Sequence, residues 1–143
     1  MEVTVTVKDI EKAIGKIKNY QLLKKQKVKD IINTSALNIQ KGAKKRAPVD
    51  FGRLRSSIAI EPWLGGMVMT IGTSVFYAPY VEYGTGKYAK DGTGRKTPWR
   101  FKKLKGGWVW TAGQKPKPFL FPAYEEEWPK FVSALKGELR RLS

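Results

Sequence analysis

Ser57-Ile58-Ala59-Ile60-Glu61-Pro62-Trp63, followed by Leu64-Gly65-Gly66 and then Met67-Val68-Met69-Thr70-Ile71-Gly72-Thr73, is the stretch on which the fold turns. Ile58 and Ile60 alternate with Ser57, Ala59 and Glu61, and Met67, Met69 and Ile71 alternate in the second run. A period of two marks strands with one buried face. Two such runs joined by a short glycine-containing connection predict an antiparallel hairpin.

On the N-terminal side, Glu2 to Val7 reads as a short strand with Val3, Val5 and Val7 on one face. From Asp9, a helix cap by type, the spacing becomes helical through Ile10, Ala13, Ile14 and Ile17. It resumes as Val28, Ile31, Ile32, Ser35, Ala36, Ile39 and Ala43 on one face. The pattern fits one long helix or two helices broken near Asn19 to Lys25. Pro48 ends it, because the residue before proline avoids the helical region. Lys41, Lys44, Lys45 and Arg46 crowd the last turns, where cations complement the helix dipole. Pro48 to Gly52 is turn chemistry, and Gly52 suits a positive φ.

On the C-terminal side, Tyr77 to Tyr83 is aromatic and fits a single helical turn starting at Pro79. Gly84 to Gly107 carries eight Lys and Arg against one acid, Asp91. It reads as a long, exposed, basic loop, of a length usually functional or disordered. Gly107 to Thr111 is expected as a third strand of the main sheet. Lys115-Pro116-Lys117-Pro118 is stiff and extended. Phe119 to Leu142 turns helical again, with Tyr124, Trp128, Phe131, Leu135 and Leu139 at spacings of three or four. Pro129 should kink this helix or mark its start. Glu125, Glu126 and Glu127 suit the start of a helix better than a metal, since adjacent helix residues point about 100° apart.

The resulting expectation is an α+β fold: an antiparallel sheet packed by a long N-terminal helix and a C-terminal helix, with a long basic loop. Residues 1–143 are expected to form a single domain in which 84–107 is an exposed insertion. The chain has 41% hydrophobic residues and 12% aromatics, enough to build a core. Most of Trp108, Trp110, Phe119, Phe121, Tyr124, Trp128 and Phe131 are assigned to that core, the remainder to a subunit interface.

The chain has no histidine and no cysteine. The commonest general base, the commonest zinc ligands and the thiol nucleophile are therefore missing, which removes most hydrolase and metalloenzyme readings. Gly84-Thr85-Gly86 and Gly92-Thr93-Gly94 lack the spacing of a phosphate-binding loop. No enzyme activity and no cofactor is expected. Nor is a membrane span: no apolar run approaches the roughly 20 residues needed. Met1 to Val7 has no signal-peptide core, so the chain is expected to be soluble and not exported. Its net charge is +16, which favours polyanions or acidic proteins without choosing between them.

Three segments in series resemble a known family. They are Ala47-Pro48-Val49-Asp50-Phe51-Gly52-Arg53-Leu54-Arg55-Ser56-Ser57-Ile58, then Tyr77-Ala78-Pro79-Tyr80-Val81-Glu82-Tyr83-Gly84-Thr85, then Pro116-Lys117-Pro118-Phe119-Leu120-Phe121-Pro122-Ala123. In this order they resemble the tail-completion, or head–tail joining, proteins of long-tailed phages, also called minor tail or minor capsid components. The resemblance spans roughly Ile31 to the C-terminus and does not extend to the role of the Lys-rich insertion. It implies an α+β subunit in a ring at the head–tail interface, expected as a hexamer. It also implies neighbouring head-completion or connector and tail-tube proteins, and a place in the virion after assembly in the host bacterial cytoplasm.

Contacts with copies or partners are expected at Arg53, Arg55, Tyr80, Glu82, Lys87, Lys102 and Lys103. Glu82, set among three tyrosines, either is buried opposite an arginine or sits exposed on a turn. Arg53 and Arg55 either pair with a neighbour's acids or stay solvated. The basic loop has three readings: docking onto an acidic ring, contact with DNA, or a solvated surface. The competing function, supported by charge, is a basic nucleic-acid-binding module.

Overall fold

The computed structural model describes residues 1–5, 25–49, 52–103 and 105–142. In chain order the elements are β1 (Glu2–Val5), α1 (Lys25–Arg46), α2 (Gly52–Ser57), β2 (Ala59–Trp63), β3 (Val68–Gly72), α3 (Ala78–Tyr83), β4 (Trp99–Lys102), β5 (Trp108–Thr111) and α4 (Leu120–Leu142). They divide into two compact units, Met1–Thr73 with Phe119–Ser143, and Ser74–Pro118. The architecture is α+β, with antiparallel strands and helices both before and after them in the chain.

The first unit is organised by α1 and α4, which pack along each other. Val28, Ile32, Ser35, Ala36, Ile39 and Ala43 are buried on α1, and Leu120, Ala123, Glu127, Phe131 and Leu135 on α4. Both sets recur at three or four residues, which puts each on one helix face. Each large apolar side chain so buried contributes roughly 1.5–3 kcal/mol. Gly42 lets the helices approach: a Cβ there would lie 3.2 Å from that of Ala123. The cap at Asp9, the stripe from Ile10 to Ile17, Val7, and the choice between one helix and two fall outside the described residues.

The hairpin forms as its alternation predicts. β2 and β3 pair antiparallel, β1 adds to the other side of β3, and the strand order is β1-β3-β2. Ile71 lies opposite both Val3 and Ile60, and Met69 opposite Val5 and Pro62. Val3, Met69 and Ile71 are buried, and the helices pack on the sheet. The other face is mixed, with Glu61 and Thr70 beside Val68 and Trp63; on it Thr4 and Thr70, directly opposite, bring their hydroxyls to 3.4 Å.

Several expectations give way here. Gly52 to Ser57, expected as a turn running into a strand, is a short helix. Gly52 starts it without a positive φ. α4 begins at Leu120 and is continuous through Pro129, so the proline does not mark its start. Glu125, Glu126 and Glu127 consequently lie beyond the first turn, where the dipole acts weakly. Glu127 is buried, and Glu126 pairs with Arg46 of α1 instead.

In the second unit, β4 and β5 form a separate two-stranded antiparallel ribbon. The Gly107 to Thr111 stretch is therefore not a third strand of the main sheet; β1 holds that place. Nor is Gly84 to Gly107 without structure, since it contains a 3-10 turn at Gly86–Tyr88 and the whole of β4. The ribbon's base is stapled by Thr85 N–H to Gln114 O at 2.9 Å and Lys87 N–H to Ala112 O at 3.1 Å. Lys117 N–H donates to Val81 O at 2.8 Å, tying the proline-rich strand to α3.

Candidate functional site

Among the described residues no group of three or more acidic or other ligating side chains is placed to hold a metal, and no helix is long and apolar enough to cross a membrane. What the fold offers instead is a set of exposed surfaces on rigid elements.

The first surface is the tip of the β2–β3 hairpin. Trp63 is exposed and Leu64 is 80% exposed. Leu64 has φ 49°, a left-handed conformation uncommon outside glycine. A large apolar side chain held in that conformation, in water, gains nothing from burial. The sequence showed the turn but not the exposure.

The second is α2 and the turn before it. Arg55 donates from Nη2 to Ala47 O at 2.9 Å, while its Nε is buried with no hydrogen-bond partner among the described residues. Arg55 thus clasps the end of the α1 segment to α2. Arg53, on the same short helix, is exposed. Ser57 Oγ and Thr73 Oγ1, 2.6 Å apart, join the end of α2 to the residue after β3.

The second unit carries the remaining expected contact residues. On α3, Ala78, Val81 and Glu82 are buried, Glu82 to 2% exposure, while Tyr80 and Tyr83 face solvent. Glu82 is therefore buried and does not sit exposed on a turn. Partial burial, and then the adjacent Glu82 carboxylate, raise the Tyr83 phenol above its ordinary value. Lys87 is exposed with its ammonium 5.0 Å from the Tyr88 ring centroid.

Lys102 and Lys103 sit at the end of β4. The register sets Lys102 opposite Trp108 and Arg100 opposite Trp110, so these four side chains share one face of the ribbon. Trp108 is 61% and Trp110 68% exposed. Both were expected mainly in the core, and neither is there. Phe119 and Phe131 are buried as expected. Arg100 lies over Trp108, 5.0 Å from its ring centroid, a cation–π geometry. On the ribbon's other face are Trp99, Phe101, Val109 and Thr111.

The expected contact residues therefore fall into three local sets: Arg53 with Arg55 on α2, Tyr80 with Glu82 on α3, and Lys102 with Lys103 on the ribbon, with Lys87 in the turn at its base. Of these, Arg55 and Glu82 are turned inward, and the others are exposed.

Comparison with known proteins gives a match to the HK97-gp10-like family model, whose description reads "Bacteriophage HK97-gp10, putative tail-component", over residues 8–84. That range includes α1, α2, the hairpin and α3, and stops where the basic segment begins. Neither the curated proteins nor the solved structures provide a match. With more than half of its 143 residues matched, the chain belongs to the HK97-gp10-like family of bacteriophage tail components.

Proposed function

We propose that this tail component acts at the head–tail junction of a long-tailed phage, as a tail-completion or head–tail joining subunit that closes a ring and docks to the rings on either side. It works by binding, with no bond made or broken. Supporting the reading are the tail-component family match and a fold that leaves apolar and basic side chains exposed. The observation that carries it is the hairpin tip, where Trp63 and the left-handed Leu64 project apolar surface into water. Head-to-tail pairing around an axis needs one such projecting patch to meet a different patch on the next copy. Arg53, Tyr80 and Lys87, exposed at other places in the fold, are the residues proposed to meet neighbouring subunits.

The test is genetic and structural. A phage lacking the protein should accumulate filled heads and separate tails, and complementation with Trp63→Glu or Leu64→Glu should fail while both variants remain folded. Particles that join normally without the protein would overturn the proposal. So would full complementation by the folded double variant, because the tip would then have no role in joining.

A further inference from the structure

The strongest unexplained surface is the Trp108–Trp110 face of the β4–β5 ribbon, which lies outside the family match. Its charge is unusual. The Ser74–Pro118 unit contains ten Lys and Arg and two acids, a net +8 of the chain's +16. Glu82 is buried on α3, and Asp91 accepts the Thr93 N–H at 3.0 Å within its own turn. Among the described residues no salt bridge ties an acid to Arg100, Lys102 or Lys103. Arg100, Lys102 and Lys103 are exposed.

The aromatic groups narrow the partner. Two residues apart on β5, the indoles of Trp108 and Trp110 leave the same face, about 6.6–6.8 Å apart along the strand. Arg100 and Lys102 flank them from β4. The face therefore offers two largely exposed indoles, Trp110 and Trp108 with Arg100 stacked over one side of the latter, beside the cation of Lys102. The same ribbon of a second copy, equally basic, is repelled by such a face. An acidic protein surface satisfies the cations and leaves the indoles without planar partners. A duplex presents phosphates but keeps its bases stacked inside. A single strand presents both at once, with phosphates for the cations and base faces for the indoles.

The ribbon is also ordered beforehand. Its base is held by the Thr85–Gln114 and Lys87–Ala112 hydrogen bonds, and its tip by Lys103 N–H to Gly107 O and Gly106 N–H to Lys103 O, both 2.9 Å. Binding there needs little ordering of the backbone.

We propose that this face is a binding site for single-stranded nucleic acid, with bases stacked on Trp108 and Trp110 and phosphates held by Arg100, Lys102 and Lys103. The inference goes beyond the joining role and does not depend on ring formation.

The test uses the full chain and a fluorescein-labelled oligothymidylate of twelve nucleotides, followed by anisotropy at several salt concentrations. Affinity should fall with salt at about −0.7 in log–log slope per phosphate neutralised. Trp108→Ala and Trp110→Ala should each weaken binding roughly 5- to 100-fold. Trp110→Phe, which keeps a stacking face, should retain most of it, and Arg100→Gln should flatten the salt dependence. Phe76→Ala, 82% exposed and outside the ribbon, should change nothing. Circular dichroism confirms that each variant is folded, and Arg100→Gln with Trp110→Phe reads the site if an alanine variant is not. No binding at low salt overturns the proposal. So does duplex binding as tight as single-strand binding and indifferent to both tryptophans. Competition by polyglutamate as strong as by oligothymidylate, likewise indifferent to the tryptophans, overturns it in favour of an acidic protein partner.

Discussion

Asn38 of α1 donates from Nδ2 to Oε1 of Glu127 of α4, 3.0 Å away, across the helix pair that organises the first unit. Glu127 is buried, so its carboxylate depends on such donors for what it loses from water. Asn38→Ala removes one of them and should lower stability by about 1 kcal/mol. Glu127→Gln keeps an acceptor oxygen in place and no longer buries a charge, so it should cost less than Asn38→Ala. Chemical denaturation of both variants checks the order; a larger loss for Glu127→Gln contradicts it.

Phe131 and Trp110 are both large aromatics on the apolar face of a periodic pattern, yet only Phe131 is buried. Phe131→Ala should destabilise by roughly 3–5 kcal/mol through the cavity it leaves. Trp110→Ala should stay within about 0.5 kcal/mol of wild type. Denaturant midpoints at constant m-value decide this.

Gly84 closes α3 at φ +79°, and a Cβ there would lie 2.8 Å from Gln114 O and from Pro116 Cδ. Gly84→Ala therefore meets both backbone strain and a clash, and should cost more than about 1 kcal/mol. Gly92→Ala, at φ +73° in open space, faces the strain alone and should cost less. Hydrogen exchange at Thr85 and Lys87, whose N–H groups staple the ribbon's base, should accelerate in the first variant and hardly in the second.

A hydrogen bond from Arg46, and then its charge, hold the exposed Glu126 carboxyl below its ordinary value. A group whose folded value is depressed adds stability above its unfolded value, near pH ~4.3 for glutamate. That contribution is lost as pH falls through the lower folded value. Glu126→Gln should therefore lower stability above about pH 4.3, by a small amount because solvent screens the pair, and leave the fully acid end of the stability–pH curve unmoved, so that the acid limb is slightly flatter. Thermal melts across pH 2 to 7, roughly the range over which carboxylates titrate, measure it.

Much of the first unit was readable because its buried faces follow a strict period. The α1 stripe and the alternation through Ile58, Ile60, Met69 and Ile71 can only be satisfied by a helix and a hairpin with one side inward. The ribbon was harder. Trp99-Arg100-Phe101-Lys102 is too short and too basic to stand out as a strand, and Trp108-Val109-Trp110 shows that two faces alternate without showing which one meets water. Tryptophan's size favours the core over the subunit interface for most of the aromatic set, and the fold turns Trp108 and Trp110 outward. The burial of Glu127 was equally hidden, because it depends on Asn38, far away in the chain. Arg55 looked like a contact residue by charge, but its reach to the Ala47 carbonyl gives it a local task. The strain at Leu64 has no signature in the sequence beyond the two glycines that follow it.

The path of the chain, out of the helical unit at Thr73 and back at Phe119, has a biochemical consequence. A protease that cuts after the exposed Lys103 or Lys105 at the ribbon's tip divides the polypeptide into two pieces. One piece keeps α1 and the hairpin, and the other keeps α4. Since those helices pack along each other, the nicked molecule should still travel as one species on a native gel and separate only in detergent. The protein would then behave as a pair of complementing fragments, each supplying one half of a shared core.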